Sequence, residues 1–142
     1  MSFAQRFTGK SSYYPDYRKG QHVLVVSVTC SGENLAGPFR ALLDTASQWC
    51  VLSPQTAENL GLPMEPDALL LPLMTRFGRI QGRLERLQTT LVAEEGDDLE
   101  FEATWFVSED WPGPMVIGWK GGLERFRFAL NPGEEIFYFG AL

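Results

Sequence analysis

Between Leu99 and Val107 apolar Leu99, Phe101, Ala103, Trp105 and Val107 are interleaved with polar Glu100, Glu102 and Thr104. A period of two puts the two sets on opposite faces of an extended chain, so this segment is a strand with one buried face. The stretch 22–30 repeats the pattern, with Leu24, Val26, Val28 and Cys30 facing one way and Val23, Val25, Ser27 and Thr29 the other. Further short apolar stretches at 38–43, 49–52, 73–77, 80–84, 84–93, 115–117, 126–130 and 136–139 are punctuated by Gly, Pro, Asn and Asp. Together they predict an all-β domain. Helical breaks are expected at 54–60, with Ser53 as N-cap, Pro54 in the first turn and Gly61 as the stop, and at 120–125. The acidic run 94–98 reads as a solvated hairpin end, and 78–79 with Gly82 as a glycine-rich hairpin tip.

A chain of 142 residues is long enough to bury a core without disulfides or metal. The expected division is an N-terminal arm or edge segment at 1–20 and one folded domain at 21–142. The net charge of −6 argues against nucleic acid and anionic membranes as partners, since both call for a basic surface. No apolar run approaches the ~20 residues needed to span a bilayer, and 1–10 lacks the apolar block of a secretory signal, so a cytoplasmic location is expected. Cys30 and Cys50 sit among apolar neighbours and suit reduced, buried thiols. With one histidine, His22, and no cysteine pair at ligand spacing, neither a metal nor a cofactor is expected.

Chemistry is concentrated at Asp44-Thr45-Ala46-Ser47, which directly follows the apolar run Ala41-Leu42-Leu43. A carboxylate leaving a buried strand and followed by two small hydroxyl residues and an alanine makes a tight turn with its acid at the strand mouth. Taken alone, such a turn is more often a cap than a catalytic group. Two further features accompany it in order: the 73–84 hairpin, and Val116-Ile117-Gly118 before the short helical turn.

This combination over about 21–131 resembles the retropepsin-like aspartic proteases. The resemblance implies a retropepsin-like barrel with one or two short helices, a flap hairpin and a homodimer. It makes Asp44 the catalytic residue, with Thr45, Ala46 and Ser47 supporting the turn and Thr45 bonding across the dimer axis. Ser47 is expected to donate to the Asp44 carboxylate and favour its ionised form. Val116, Ile117 and Gly118 back the turn; Phe77, Gly78, Arg79 and Ile80 belong to the flap, and Trp49 lines the substrate cleft. The final hairpin is expected to form the intersubunit sheet. No second Asp-Thr/Ser-Gly-like turn exists in the chain, so two Asp44 residues, one per chain, must make the dyad. Peptide or protein is the expected substrate, and the reaction is peptide-bond hydrolysis. Ala46 stands where the family has glycine, and a Cβ there crowds the substrate or shifts the turn. Family pairing of an acid at the Gln48 position with an arginine at the Trp119 position is absent, and an apolar Trp49–Trp119 contact is expected to replace it. The alternatives are an inactive retropepsin-like peptide-binding or regulatory module and a small all-β ligand-binding barrel.

Overall fold

The computed structural model describes the chain except residues 14, 19–20, 33–37, 63–69 and 76–77, and for 15–18 and 21–32 it describes the backbone alone. In chain order the elements are helix α1 (Phe3–Arg6), strands β1 (Gly9–Ser12), β2 (Pro15–Arg18), β3 (Gln21–Gly32), β4 (Phe39–Leu43) and β5 (Cys50–Leu52), and helix α2 (Pro54–Asn59). Then follow β6 (Leu71–Thr75), β7 (Gly78–Leu91), β8 (Glu95–Gly96), β9 (Leu99–Val107), β10 (Val116–Ile117), a 3-10 turn (Leu123–Arg125), β11 (Arg127–Asn131) and β12 (Ile136–Gly140). The all-β expectation holds, and the alternating stretch 99–107 is β9 from end to end.

The larger sheet runs β2-β3-β4-β10-β5-β9-β7-β6. β3 pairs with β4 and also with β7, through Cys30↔Leu91, Ser31↔Thr90 and Gly32↔Thr89, and this second pairing curls the sheet on itself. β7 is long enough to serve two more partners besides β3. Its start pairs with β6, from Thr75↔Gly78 to Leu71↔Gly82, and its remainder with β9, from Arg83↔Val107 to Leu91↔Leu99. The expected break near residue 84 is therefore absent, and 78–79 is paired strand rather than hairpin tip, with Thr75↔Gly78 and Met74↔Arg79. Gly82 is packed rather than free, since a Cβ there would lie 2.7 Å from the Phe106 ring and collide with the Val107 carbonyl.

Where strands are covered on both faces their sequence is continuously apolar. Cys50, Leu52, Ala103, Trp105, Val107 and Ile117 point into one cluster, while Val51, Phe106 and Val116 point into a second with Leu73, Ile80 and Trp111. Trp105, fully buried, keeps its polar atom satisfied: Nε1 donates to Thr89 Oγ1 at 3.1 Å, and Thr89 donates onward to the Leu87 carbonyl at 3.1 Å. Helix α2 begins as its sequence predicts, with Ser53 Oγ accepting from the Thr56 N–H at 3.2 Å and Pro54 in the first turn.

A second sheet, β11-β12-β1-β8, lays Phe128, Phe137 and Phe139 against the first cluster. Its order revises one sequence expectation and extends another, the exposed hairpin end at 94–98. Within the segment read as an arm or edge, Gly9–Ser12 is an interior strand, paired with β12 on one side and β8 on the other. Within the acidic run, Glu95–Gly96 pairs with Gly9–Lys10, and Lys10 Nζ meets Glu95 at 2.8 Å. Neither was legible locally, because short polar strands gain their stability from the sheet they join. No helix among the described residues is long and apolar enough to cross a membrane.

Candidate active site

β10 runs parallel to β4, with Val116↔Leu42 and Ile117↔Leu43, and antiparallel to β5, with Val116↔Val51. It thus separates two strands that are close in sequence, and residues 44–49 must loop around its end to pass from β4 to β5. Asp44 is the first residue of that loop, and its N–H donates to the Ile117 carbonyl at 3.0 Å. Its Oδ1 accepts the Ala46 N–H at 2.9 Å and its carbonyl the Ser47 N–H at 3.1 Å, so side chain and main chain together close the turn. Oδ2 accepts no hydrogen bond from the described residues. Ala46 lies outside the left-handed region, so its Cβ causes no backbone strain.

The far side of the loop is held by the glycine element. Trp119 donates its N–H to the Ser47 carbonyl at 2.9 Å, and Lys120 its N–H to the Gln48 carbonyl at 2.8 Å. These bonds draw the backbones so close that a Cβ on Gly118 would collide with the Trp49 carbonyl oxygen and lie 2.8 Å from that of Ser47. The Val116-Ile117-Gly118 segment therefore backs the Asp44 turn as a spacer that only glycine can complete.

Two expected side-chain roles are not found. Ser47 Oγ donates to the Trp49 carbonyl at 2.8 Å, not to Asp44, because the turn carries the hydroxyl toward the returning strand. Trp49 packs against the Val51–Leu73 cluster and lies beneath the Lys120 ammonium, 5.5 Å from the ring centre, while Trp119 is 46% exposed. A cation–π contact thus occupies the place foreseen for a tryptophan pair.

Asp44, Ala46 and Ser47 border a groove of about 240 Å³. Val51, Leu73, Val116 and Trp111 supply apolar wall, and the β6 residues Met74 and Thr75 form the rim. Trp111 is fixed by its Nε1 donating to the Pro114 carbonyl at 2.7 Å and by Gly113, where a Cβ would lie 2.6 Å from the indole. The hairpin reaches the groove through β6 rather than through the residues named from sequence. Gly78 and Arg79 are exposed at the start of β7, Ile80 is buried against Leu73 and Phe106, and Phe77 lies outside the described residues. Trp49 does not line the groove either. Val51, Leu73, Met74 and Trp111 went unread because nothing in their local pattern separates groove wall from core; the Trp-Pro-Gly-Pro run at 111–114 was the one available signal.

Cys50, beneath the loop, is fully buried, and burial pushes its thiol up to about 12. No cluster of His, Cys, Asp or Glu among the described residues could hold a metal ion.

The family model described as "Aspartyl protease" matches residues 26–107, more than half of the chain and inclusive of the Asp44 turn and the β6–β7 hairpin. The chain belongs to the aspartyl protease family. Its fold is retropepsin-like: a crystal structure of a retropepsin-like aspartic protease from Rickettsia conorii superposes with a TM-score of 0.63, covering 92% of this chain and 98% of that one. At 17% sequence identity that likeness is one of fold. No curated protein matches the chain.

Proposed function

We propose that the protein is a homodimeric aspartic endopeptidase whose dyad is two Asp44 carboxylates, one from each chain. The observation that carries this reading is a carboxylate fixed by one oxygen at the mouth of an apolar groove, with no second carboxylate lining that groove among the described residues. Two carboxylates held about 3 Å apart cannot both ionise and share one proton. The ionised member takes a proton from a water lying between them, and the water oxygen attacks the scissile carbonyl carbon. The protonated member gives its proton to the carbonyl oxygen. Collapse of the resulting tetrahedral diol expels the amine, which leaves with a proton returned from the dyad. Thr45, which is exposed beside Asp44, bonds across the two-fold axis in this reading. The β6–β7 hairpin serves as the flap, closing over an extended peptide and excluding water. Its substrate side chains next to the scissile bond are apolar, to match Val51, Leu73, Trp111 and Val116. A buried, unpaired Cys50 accords with a reducing, cytoplasmic setting.

The inactive-module alternative, raised by Ala46, draws less support. The alanine keeps ordinary backbone angles, and its N–H still donates to Asp44.

The test is digestion of a mixed peptide library from about pH 3.5 to 7 by the native chain and by Asp44→Asn, read by mass spectrometry. Cleavage by the native chain alone is expected. Mixing and re-equilibrating equal amounts of the two chains then leaves about a quarter of the activity, because a shared site needs two native copies. Retention of one half would show that each chain works by itself and would refute the shared dyad. Absence of cleavage by folded, dimeric native protein would refute the enzyme.

A further inference from the structure

Strand alternation gives the β6–β7 hairpin two faces. Leu73 and Ile80, opposite each other in the ladder, are buried in the cluster that walls the groove. The flanking pairs Met74↔Arg79 and Pro72↔Gln81 therefore project from the other face, and all four residues are exposed. Met74 is 73% exposed and Leu70, just before β6, is 46% exposed. The outer face thus joins an apolar row on β6 to a guanidinium on β7. Residues 68–84 carry three arginines and no acid, in a chain whose net charge is −6. Lys10, Arg83 and Arg86 are held by Glu95, Glu85 and Glu102, whereas Arg79 has no ion-pair partner among the described residues.

We propose, resting on the protease reading above, that this outer face is a second binding site, outside the Asp44 groove, for an acidic segment of the protein substrate in which carboxylates alternate with apolar side chains. A carboxylate meets the Arg79 guanidinium in a charge-assisted pair, and its apolar neighbours cover Met74 and Leu70, which the single chain leaves in water. The rest of the chain is negative and repels such a segment, so attraction is confined to this hairpin. β6 ends its sheet, and a peptide lying in the groove can pass around that edge to the outer face. The path is about one sheet thickness, ~10 Å, or about three extended residues, which places the acidic segment roughly four to eight residues from the scissile bond. A segment held there raises the local concentration of that bond at the groove. An anionic membrane fits less well, since lipid surfaces select clusters of about four to eight cations.

The test uses an apolar peptide taken from the library digestion, either bare or joined through about six glycine and serine residues to an alternating glutamate–leucine extension. The readout is the ratio of kcat/KM for extended over bare peptide within each chain, so that any change in the groove itself cancels. The native ratio is expected to be roughly three- to tenfold, carried by KM, and to fall toward one at about 0.5 M salt. Arg79→Glu is expected to bring the ratio to about one and to favour a lysine–leucine extension instead, a reversal that a merely structural role for Arg79 would not produce. A labelled extension added to the Asp44→Asn chain reads the site without catalysis: fluorescence anisotropy should show binding, and Arg79→Glu in that background should abolish it. Both peptides cleaved with a native ratio of one, or with a ratio unchanged in Arg79→Glu, would overturn the second site and leave the protease standing. Sedimentation of the native chain with phosphatidylserine vesicles, lost in Arg79→Glu and accompanied by a ratio of one, would also overturn it and assign the face to lipid. Cleavage of neither peptide by folded native protein would overturn the protease and, with it, the substrate as partner.

Discussion

Gly118→Ala tests whether the glycine element is the spacer that holds the Asp44 turn. The added Cβ would collide with the Trp49 carbonyl oxygen, with the Trp49 carbonyl carbon at 2.6 Å and the Ser47 carbonyl oxygen at 2.8 Å. These are main-chain atoms and cannot rotate aside as a side chain would. Overpacking typically costs ~1–3 kcal/mol, and immovable obstacles place this site at the upper end. Separation of the backbones also weakens the bonds from Trp119 N–H to Ser47 and from Lys120 N–H to Gln48, each worth about 1 kcal/mol net. The expected loss is then about 3–4 kcal/mol. With a urea dependence of about 2 kcal/mol/M, the unfolding midpoint followed by tryptophan fluorescence falls by ~1.5–2 M. Gly133→Ala is the matched control: its Cβ would meet only Asn131 Oδ1, at 3.4 Å, and its φ is not left-handed. Its stability should stay within about 0.5 kcal/mol of the native chain. In conditions where Gly118→Ala remains folded, displacement of the turn lowers peptide cleavage by about a hundredfold. A Gly118→Ala midpoint within about 0.3 M of the native value would refute the spacer argument.

Three other perturbations give separate checks. The Cys50 thiol is raised in the folded state from an ordinary 9.0 to about 12, so the stability it contributes is complete below pH 9 and falls as pH rises toward 12. Between pH 8 and 10.5 the native chain should lose about 2 kcal/mol more than Cys50→Ala, and equal losses in urea melts would contradict this. Thr89→Val strips the buried Trp105 Nε1–H of its acceptor and costs about 1–3 kcal/mol; adding Trp105→Phe should cost less than the sum of the two single changes, and simple additivity in the double-mutant cycle would count against the bond. Ser47→Ala removes a bond to the Trp49 carbonyl and about 1 kcal/mol of stability, yet leaves the acid limb of the pH–rate profile in place; a shift of that limb would show that the hydroxyl acts on Asp44 after all.

Much of the fold could be read in the sequence because strand alternation is a local signal that burial must respect. The β9 pattern at 99–107, the Ser53-Pro54 start of α2 and the Asn131-Pro132-Gly133-Glu134 turn are each decided by neighbouring residues. So is the Asp44 turn, where an acid, two hydroxyl residues and a small residue between them close a main-chain loop.

The remainder depended on what lies far away in the chain. Nothing within Gly9–Ser12 or Glu95–Gly96 marks a strand; each becomes one because the other and β12 supply its backbone partners. The direction of the Ser47 hydroxyl was fixed by the return of the chain into β5, and the groove walls were fixed by which face of Val51, Val116 and Leu73 the curled sheet turned toward Asp44. The sequence by itself determined most of the longer strands, the start of α2 and the Asp44 turn, since backbone preference is local. Only the tertiary structure decided the register and the pocket, since pairing and burial join residues that the sequence holds apart.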